Sequence, residues 1–187
     1  MSEARLDEAG SGLAPASDGW FVVNVRDAQW LTSEGGDKQS SGAECAFEGD
    51  DAPFRQVGVR LHVLPPGEPN GLYHTESEQE DFLVLSGECT LVVEGEERTL
   101  RQWDFFHSPA GTEHVFVGAG VEPCVILMTG ARVEPWTVRY VVSELAARYG
   151  ASVEEETTSP REAYTGRFEP SRRERPSYWE RLPWAQP

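Results

Sequence analysis

Two histidines and two glutamates lie at spacings that would bring their side chains together. His74 and Glu76 are two residues apart, so on a β-strand their side chains point to the same face. Glu80 begins the next apolar segment, and His114 follows a turn that contains proline and glycine. Imidazole and carboxylate groups that converge in this way suit a divalent transition metal. The spacing therefore predicts a metal site with two imidazoles and one or two carboxylates.

Four other residues compete for a role near this site. Glu78 is the nearest rival carboxylate, and strand alternation alone does not exclude it because Ser77–Gln79 is expected to turn between two strands. Tyr73 could orient a substrate through its hydroxyl, although packing is the commoner role for such a residue. His62 lies opposite the valines of its strand and is expected at a surface or an interface. His107 is expected in the hydrophobic core or in contact with a metal ligand. Neither His62 nor His107 enters the predicted ligand set.

The segments that carry these residues read as short β-strands. Residues 57–64 alternate apolar and polar side chains, which predicts a strand with one buried face. Turns rich in glycine or proline separate the segments that follow it, namely Phe82–Leu85, Cys89–Val93, Arg98–Leu100, Phe105–Phe106, His114–Val117 and Cys124–Thr129. This pattern predicts an all-β protein with an antiparallel sandwich or barrel. Its interior would be lined by Phe82, Val84, Leu91, Val93, Phe106, Phe116, Ile126 and Met128.

Two extensions flank the predicted barrel, which spans residues 20–142. Residues 1–19 are polar and have no hydrophobic period, so we expect a flexible N-terminal arm. Residues 143–187 begin with one short helix that Ser143 would cap and Gly150 would end. They continue as a tail rich in arginine and aromatic residues. The aromatic residues predict that the tail packs, either on its own barrel or on a second subunit.

The first acidic segment resembles the first motif of the cupin superfamily, G(x)5HxH(x)3-4E(x)6G. His74, Glu80 and Gly87 occupy matching positions at the expected spacing. Glu76 stands where the family usually has its second histidine. The resemblance therefore predicts the family's ligand arrangement with one imidazole replaced by a carboxylate.

The second segment resembles the second motif of the same family, G(x)5PxG(x)2H(x)3N. Pro109, Gly111 and His114 match the motif, whereas Trp103 replaces its first glycine and Gly118 replaces its closing asparagine. The motifs place the resemblance in residues 57–130. They imply an antiparallel jelly-roll (cupin) β-barrel with six to eight strands, one short C-terminal helix and extended N- and C-terminal arms.

The resemblance also implies a cofactor and an assembly. His74, Glu80 and His114 would bind one divalent transition metal ion per chain, with Glu76 as a substituted fourth ligand. Two histidines and one carboxylate leave coordination positions open for water, oxygen or substrate. Mn, Fe or Zn is expected, and Ni is also compatible. Pairing through exposed strands would make the protein a homodimer.

Composition excludes several classes of partner. The chain has 187 residues with a formal net charge of -16, which repels nucleic-acid phosphates and anionic lipid surfaces. The N-terminus has no apolar signal segment, and three cysteines without metal-binding spacing favour a reducing compartment. We therefore expect a cytoplasmic protein that binds neither nucleic acid nor membrane. The single lysine, Lys38, lies in a Gly/Ser-rich stretch, which disfavours imine catalysis.

These observations predict a metal-dependent enzyme that acts on a small oxygen-bearing molecule, with Glu76 or Glu80 moving a proton. The reaction classes that the resemblance offers are dioxygenases, isomerases or epimerases, and decarboxylases. Two alternatives stay open. The protein could bind a small molecule at the metal without catalysis, or it could be a structural dimer that has lost activity.

Overall fold

The computed structural model describes residues 2–33, 42–166 and 171–185, so Lys38 lies outside the described residues. Within them the strands are β1 (Leu6–Glu8), β2 (Leu13–Pro15), β3 (Leu31–Thr32), β4 (Ala43–Cys45), β5 (Val57–Leu64), β6 (His74–Glu76), β7 (Glu80–Ser86), β8 (Glu88–Val93), β9 (Glu96–Arg101), β10 (Phe105–Ser108), β11 (His114–Ala119), β12 (Cys124–Ala131) and β13 (Val138–Tyr140). The helices are α1 (Glu144–Ala147), α2 (Pro160–Tyr164) and a 3-10 turn (Trp179–Arg181).

Two antiparallel sheets form the barrel. One has six strands in the order β10-β7-β12-β5-β4-β3, and the other has five in the order β13-β6-β11-β8-β9. Strands that are neighbours in a sheet are mostly distant in sequence, as a jelly roll requires. The structure thus confirms the all-β antiparallel jelly-roll barrel. Within the described ranges no helix is long and apolar enough to cross a membrane.

The barrel interior is a filled hydrophobic core. Five of the eight side chains predicted to line the interior belong to one buried cluster contributed by both sheets, and the other three, Val93, Phe106 and Met128, pack against it. Phe82 contacts Phe116 with ring centroids 4.7 Å apart, and Phe106 stacks on Phe82 at 5.6 Å. Because these large rings occupy the centre of the barrel, open space is left only towards its ends.

Strand β5 is covered on both faces, which its alternating sequence does not reveal. Leu61 and Val63 belong to a second core outside the barrel, packed with Trp30, which precedes β3, and with Trp179 from the C-terminal extension. Leu64 belongs to the interior cluster. The predicted single buried face is therefore the outer one, and the polar residues between the valines face the inside of the barrel.

Residues 1–19, predicted as a flexible arm, include the hairpin β1-β2. The hydroxyl of Ser11 accepts a hydrogen bond from Trp30 N at 2.8 Å and donates one to Trp30 O at 2.6 Å. Leu13 N also donates to Asp27 O at 2.7 Å. These partners are 19 and 14 residues away in the chain, so no local sequence period indicates the hairpin.

The C-terminal extension packs on its own barrel. Trp179 and Trp184 lie with ring centroids 5.5 and 5.1 Å from that of Trp30. Upstream, Ser143 caps α1 as predicted, accepting a hydrogen bond from Ala146 N. The second helix, α2, was not predicted, although Ser159 followed by Pro160 is a recognisable helix start.

The predicted homodimer stays a prediction. Strand β10 is an edge strand of the six-stranded sheet, and Phe105 on it is exposed, as is the preceding Trp103. An edge strand with exposed aromatic residues is the surface that such a dimer would use.

The packing of the tail predicts a large stability effect at one tryptophan. Trp179 is 7% exposed, so Trp179→Ala should lower the free energy of unfolding by about 3–5 kcal/mol through a buried cavity. The matched control is Trp103→Ala, at a side chain that is 67% exposed, with an expected change within about 0.5 kcal/mol. Urea unfolding followed by circular dichroism measures both. Equal effects of the two substitutions would show that the tail does not pack on the barrel.

Candidate metal site

The pairing of two strands brings the two histidines together. His74 on β6 lies directly opposite His114 on β11 in the antiparallel register. Side chains at opposite positions have Cβ atoms roughly 4.5–5.5 Å apart. The imidazole ring centroids are 5.1 Å apart, so both rings extend into the same space.

The turn before His114 is attached to the strand that carries His74. Gly111 N donates a hydrogen bond to Glu76 O at 2.8 Å. Within the turn, the Thr112 hydroxyl donates to Pro109 O at 2.8 Å. The hydrogen bond from Gly111 to Glu76 O holds the second motif against the first. It thereby fixes where His114 lies along β6.

Each histidine is oriented by a backbone carbonyl two residues earlier. Nδ1 of His74 lies 2.7 Å from Leu72 O, and Nδ1 of His114 lies 3.2 Å from Thr112 O. Because a carbonyl only accepts, Nδ1 carries the hydrogen in both rings. In the neutral rings, Nε2 then has a free lone pair, which is the state that a metal ligand needs.

Glu80 completes a group of three donors. Donor atoms of His74, Glu80 and His114 all lie within 4.8 Å of one another, and Nε2 of His114 is 3.4 Å from a Glu80 oxygen. Two imidazole lone pairs and a carboxylate would repel one another unless a proton or a cation lay between them. The donor set therefore fits a divalent ion bound by two nitrogens and one oxygen, with positions left open.

Glu76 lies beside this group but not within it. One of its oxygens is 3.7 Å from Nε2 of His74, and the other accepts a hydrogen bond from Trp136 Nε1 at 2.8 Å. Its role as a fourth ligand stays a prediction. The rival carboxylate, Glu78, is also outside the three-donor group, and its oxygen accepts a hydrogen bond from Ser77.

Burial and charge shift the pKa values of the three donors. Burial raises the pKa of Glu80 to about 7, and the nearby Glu76 carboxylate adds to the rise. Burial lowers the pKa of His114 to about 4, helped by the charge of His74. For His74, burial acts to lower the pKa, but contacts with Glu76, Glu80 and Leu72 O outweigh it, and the pKa is raised. Without metal, the Glu80 carboxyl group therefore titrates near neutral pH.

The three donors open onto a cavity of about 570 Å³. Phe82 and Met128 are the two predicted interior residues that reach it, and His62, which was expected at a surface or interface, also lines it. Several further lining residues were not predicted from the sequence, namely Arg60, Arg132, Trp136, Tyr140 and Tyr164. Trp136 and Tyr164 lie outside the motifs, and no spacing in the sequence connects them to the histidines.

Two other candidates lie away from the cavity. Tyr73 is buried in a cluster with Val92 and Val115, and its hydroxyl accepts a hydrogen bond from Gly95 N at 3.2 Å. His107 is exposed, and its Nδ1 lies 2.6 Å from Asp81 Oδ1. The packing role expected for Tyr73 is confirmed, and the core position expected for His107 is wrong because β10 is an edge strand with a solvent-facing side.

The two departures in the second motif have physical explanations. Trp103 has a φ of 75°, the left-handed conformation that a glycine adopts without strain, so it keeps the backbone shape at a cost of roughly 1–2 kcal/mol. At Gly118, a Cβ atom would lie 2.1 Å from Pro65 O. Asparagine would not fit at this close approach, whereas glycine allows Gly118 N to donate to Glu68 O at 2.9 Å.

Removal of any of the three donors should abolish tight metal binding. In His74→Ala, Glu80→Ala and His114→Ala we expect affinity for Zn²⁺ or Mn²⁺ to fall by on the order of 100-fold or more, because removal of residues that only support ligands already costs 10–100-fold. Titration calorimetry and elemental analysis measure this. His107→Ala is the matched control and should bind like the wild type. Full metal occupancy in the three variants would contradict the assignment.

Metal affinity should rise with pH. Glu80, with a pKa of about 7, must lose its proton to bind a cation, so its contribution alone predicts about a tenfold gain in affinity between pH 6 and pH 8. The raised pKa of His74 acts in the same direction. Calorimetry in buffers with different protonation enthalpies counts the released protons. An affinity that does not change over this range would rule out ligation by Glu80.

Comparisons with known proteins agree with the fold. The family model described as "Cupin domain" matches residues 60–130. A search of curated proteins finds no match. Among solved structures, the polyketide cyclase RemF from Streptomyces resistomycificus is 15% identical, with a TM-score of 0.53, over 63% of this chain and 82% of that one. At this identity the likeness shows the fold alone.

Two further structures are more similar in sequence. A putative sugar phosphate isomerase from Acidithiobacillus ferrooxidans is 29% identical over 52% of this chain and 63% of its own, with a TM-score of 0.48. A sugar phosphate isomerase from a cupin superfamily, from Silicibacter pomeroyi, is 31% identical over 54% of this chain and 66% of its own, with a TM-score of 0.49. The chain thus spans slightly less than two thirds of either structure. Residues 60–130 thus match the family model of the cupin domain, and the jelly-roll topology of the barrel agrees with that match.

Proposed function

We propose that this protein is a metal-dependent enzyme that acts on a small oxygen-bearing molecule. The observation that carries the proposal is the convergence of His74, Glu80 and His114 within 4.8 Å at the wall of a 570 Å³ cavity. The cavity is of the size that holds small-molecule ligands. The oxygen of the carboxylate and the two nitrogens suit Mn, Fe or Zn.

A divalent ion held by these residues would polarise a carbonyl or hydroxyl oxygen of the substrate. The chain itself supplies a group that can move a proton. The Glu76 carboxylate lines the cavity beside His74, and Trp136 holds one of its oxygens in place. Burial acts to raise the pKa of Glu76, but the neighbouring His74 ring and the hydrogen bond from Trp136 outweigh it and lower the pKa. Glu76 is therefore ionised at neutral pH and can act as a general base.

This placement favours proton-transfer chemistry of the isomerase or epimerase type over oxygen chemistry. A base that is fixed beside the ligands can remove a proton from the carbon next to a polarised carbonyl and return it to the neighbouring carbon. Glu80 binds the ion and has no further part in this step. Trp136 acts as a positioning residue because it touches Glu76 and orients its carboxylate.

Glu76→Gln should abolish proton transfer and leave metal binding within about tenfold of the wild type. The assay incubates Mn²⁺-loaded protein in D₂O with glyceraldehyde, dihydroxyacetone, ribose and glucose. Deuterium incorporation next to the carbonyl is then measured by NMR, and oxygen consumption is recorded in parallel. We expect incorporation with the wild type and a fall of on the order of 100-fold or more in the variant, since general-base catalysis contributes about 10²–10⁴-fold.

Trp136→Phe tests the positioning role. It removes the hydrogen bond to Glu76 and should lower incorporation while leaving the affinity for metal unchanged. Glu113→Gln, which lies outside the cavity lining, is the control and should match the wild type. Oxygen consumption without deuterium incorporation would instead establish a dioxygenase. Inactivity with every substrate, despite bound metal and bound sugar, would favour the non-catalytic binding protein.

A further inference from the structure

A second recess of about 310 Å³ adjoins the metal cavity. The two share part of their walls, formed by His62, Asn70, Gly71 and Tyr164. Glu44 and Ala43 on strand β4 line the second recess and do not line the first. The two recesses therefore meet at His62, and we call the second one the β4 compartment.

His62 and Glu44 form a polar pair at this junction, and neither belongs to the three-donor group. The His62 side chain is 17% exposed, and its Nε2 lies 3.4 Å from Glu44 Oε2. Arg60 Nη1 lies 3.4 Å from the same oxygen, which balances the charge of Glu44. Burial lowers the pKa of His62, so its imidazole is neutral at neutral pH.

The side chains of His62 and Asn70 have unused hydrogen-bonding capacity at the junction. Within the described part of the chain, His62 makes no hydrogen bond to protein, and neither of its ring nitrogens is sealed from solvent. Asn70 uses its Oδ1 to accept from Phe116 N at 2.9 Å, which leaves its NH₂ group as a donor. A neutral imidazole, a charge-balanced carboxylate and an amide can each donate to or accept from a hydroxyl group, which does both.

The two ends of the combined cavity are separated along the strands. Glu80 is opposite Gly130 on β12, and Gly130 is opposite Gly58 on β5, so Gly58 marks the level of the metal donors. His62 is four residues further along β5, which corresponds to about 13 Å between Cα atoms. Because both side chains extend inward, a linear molecule of five or six carbon atoms matches the remaining gap better than one of two or three.

We propose that the β4 compartment binds the hydroxylated end of a linear polyhydroxylated substrate whose other end reaches His74, Glu80 and His114. The inference rests on the proposed metal site and specifies its substrate class. Glu44 and His62 are the residues that recognise the distal hydroxyl groups, and Asn70 contributes a donor between the two ends.

A series of acids with increasing chain length tests the proposal. Zn²⁺-loaded protein is titrated with glycolate, D-ribonate and D-gluconate, in which the carboxylate and neighbouring hydroxyl suit the metal end. Affinity should rise by about tenfold or more from glycolate to gluconate, because each added hydrogen bond contributes a few-fold. Hexanoate and 2-hydroxyhexanoate have the same length as gluconate and lack its distal hydroxyl groups, and 2-hydroxyhexanoate keeps the hydroxyl group next to the carboxylate. Neither should show such a gain.

Variants identify the residues that produce the gain in affinity with chain length. Glu44→Ala and His62→Ala should each remove most of the difference between gluconate and glycolate and leave the affinity for glycolate unchanged. His107→Ala, which removes the other histidine in contact with a carboxylate but lies outside both recesses, should behave like the wild type. Circular dichroism checks that the variants are folded.

The outcomes separate the two claims. Failure of the wild type to bind Zn²⁺ or glycolate would overturn the proposed function and this inference together. If glycolate binds but chain length adds nothing, or if hexanoate gains as much as gluconate, the metal site stands and the β4 compartment does not bind hydroxyl groups. A gain in affinity with chain length that persists in both variants would also overturn the assignment of Glu44 and His62.

Discussion

The pairing of β6 with β11 is the constraint on which the site depends. It places His74 opposite His114, and the carbonyls of Leu72 and Thr112 then fix both rings with Nε2 towards the cavity. A shift of one residue in this register would turn one imidazole to the other face of the sheet. The hydrogen bond from Gly111 to Glu76 O holds the register at the point where the two motifs meet.

The rest of the molecule packs around this pair. Phe82, Phe106 and Phe116 surround His114 with ring centroids 5.2–6.0 Å away, so the imidazole is buried on its inner side. On the outside of the barrel, Trp30 packs with Trp179 and Leu182 from the C-terminal extension and covers β5. This outer layer allows the polar residues of β5 to point inward, and His62 enters the cavity for that reason.

Much of this arrangement could be predicted from local sequence. Alternation and turn residues indicated the strands, and the spacing of His74, Glu80 and His114 indicated donors that the structure brings within 4.8 Å of one another. The interior side chains followed from the same alternation. These features depend on neighbours in the sequence or on two short motifs, which is where periodicity is informative.

The remaining features depend on contacts between distant segments. The inward position of His62 could not be deduced, because alternation shows that a strand has an apolar face but not whether that face is inside or outside the barrel. Trp136 reaches Glu76 from 60 positions further along the chain, and the N-terminal hairpin is held by bonds to Trp30. For α2, in contrast, the capping serine and the following proline were present in the sequence, and the helix could have been predicted.

The most direct test of the central claim is a crystal structure of the protein grown with Zn²⁺ or Mn²⁺, with anomalous diffraction recorded at the absorption edge of that metal. We predict one anomalous peak per chain, bound by Nε2 of His74, Nε2 of His114 and a carboxylate oxygen of Glu80 at distances of about 2.0–2.2 Å. A structure with no peak between these residues, or with the metal bound elsewhere, would contradict the account.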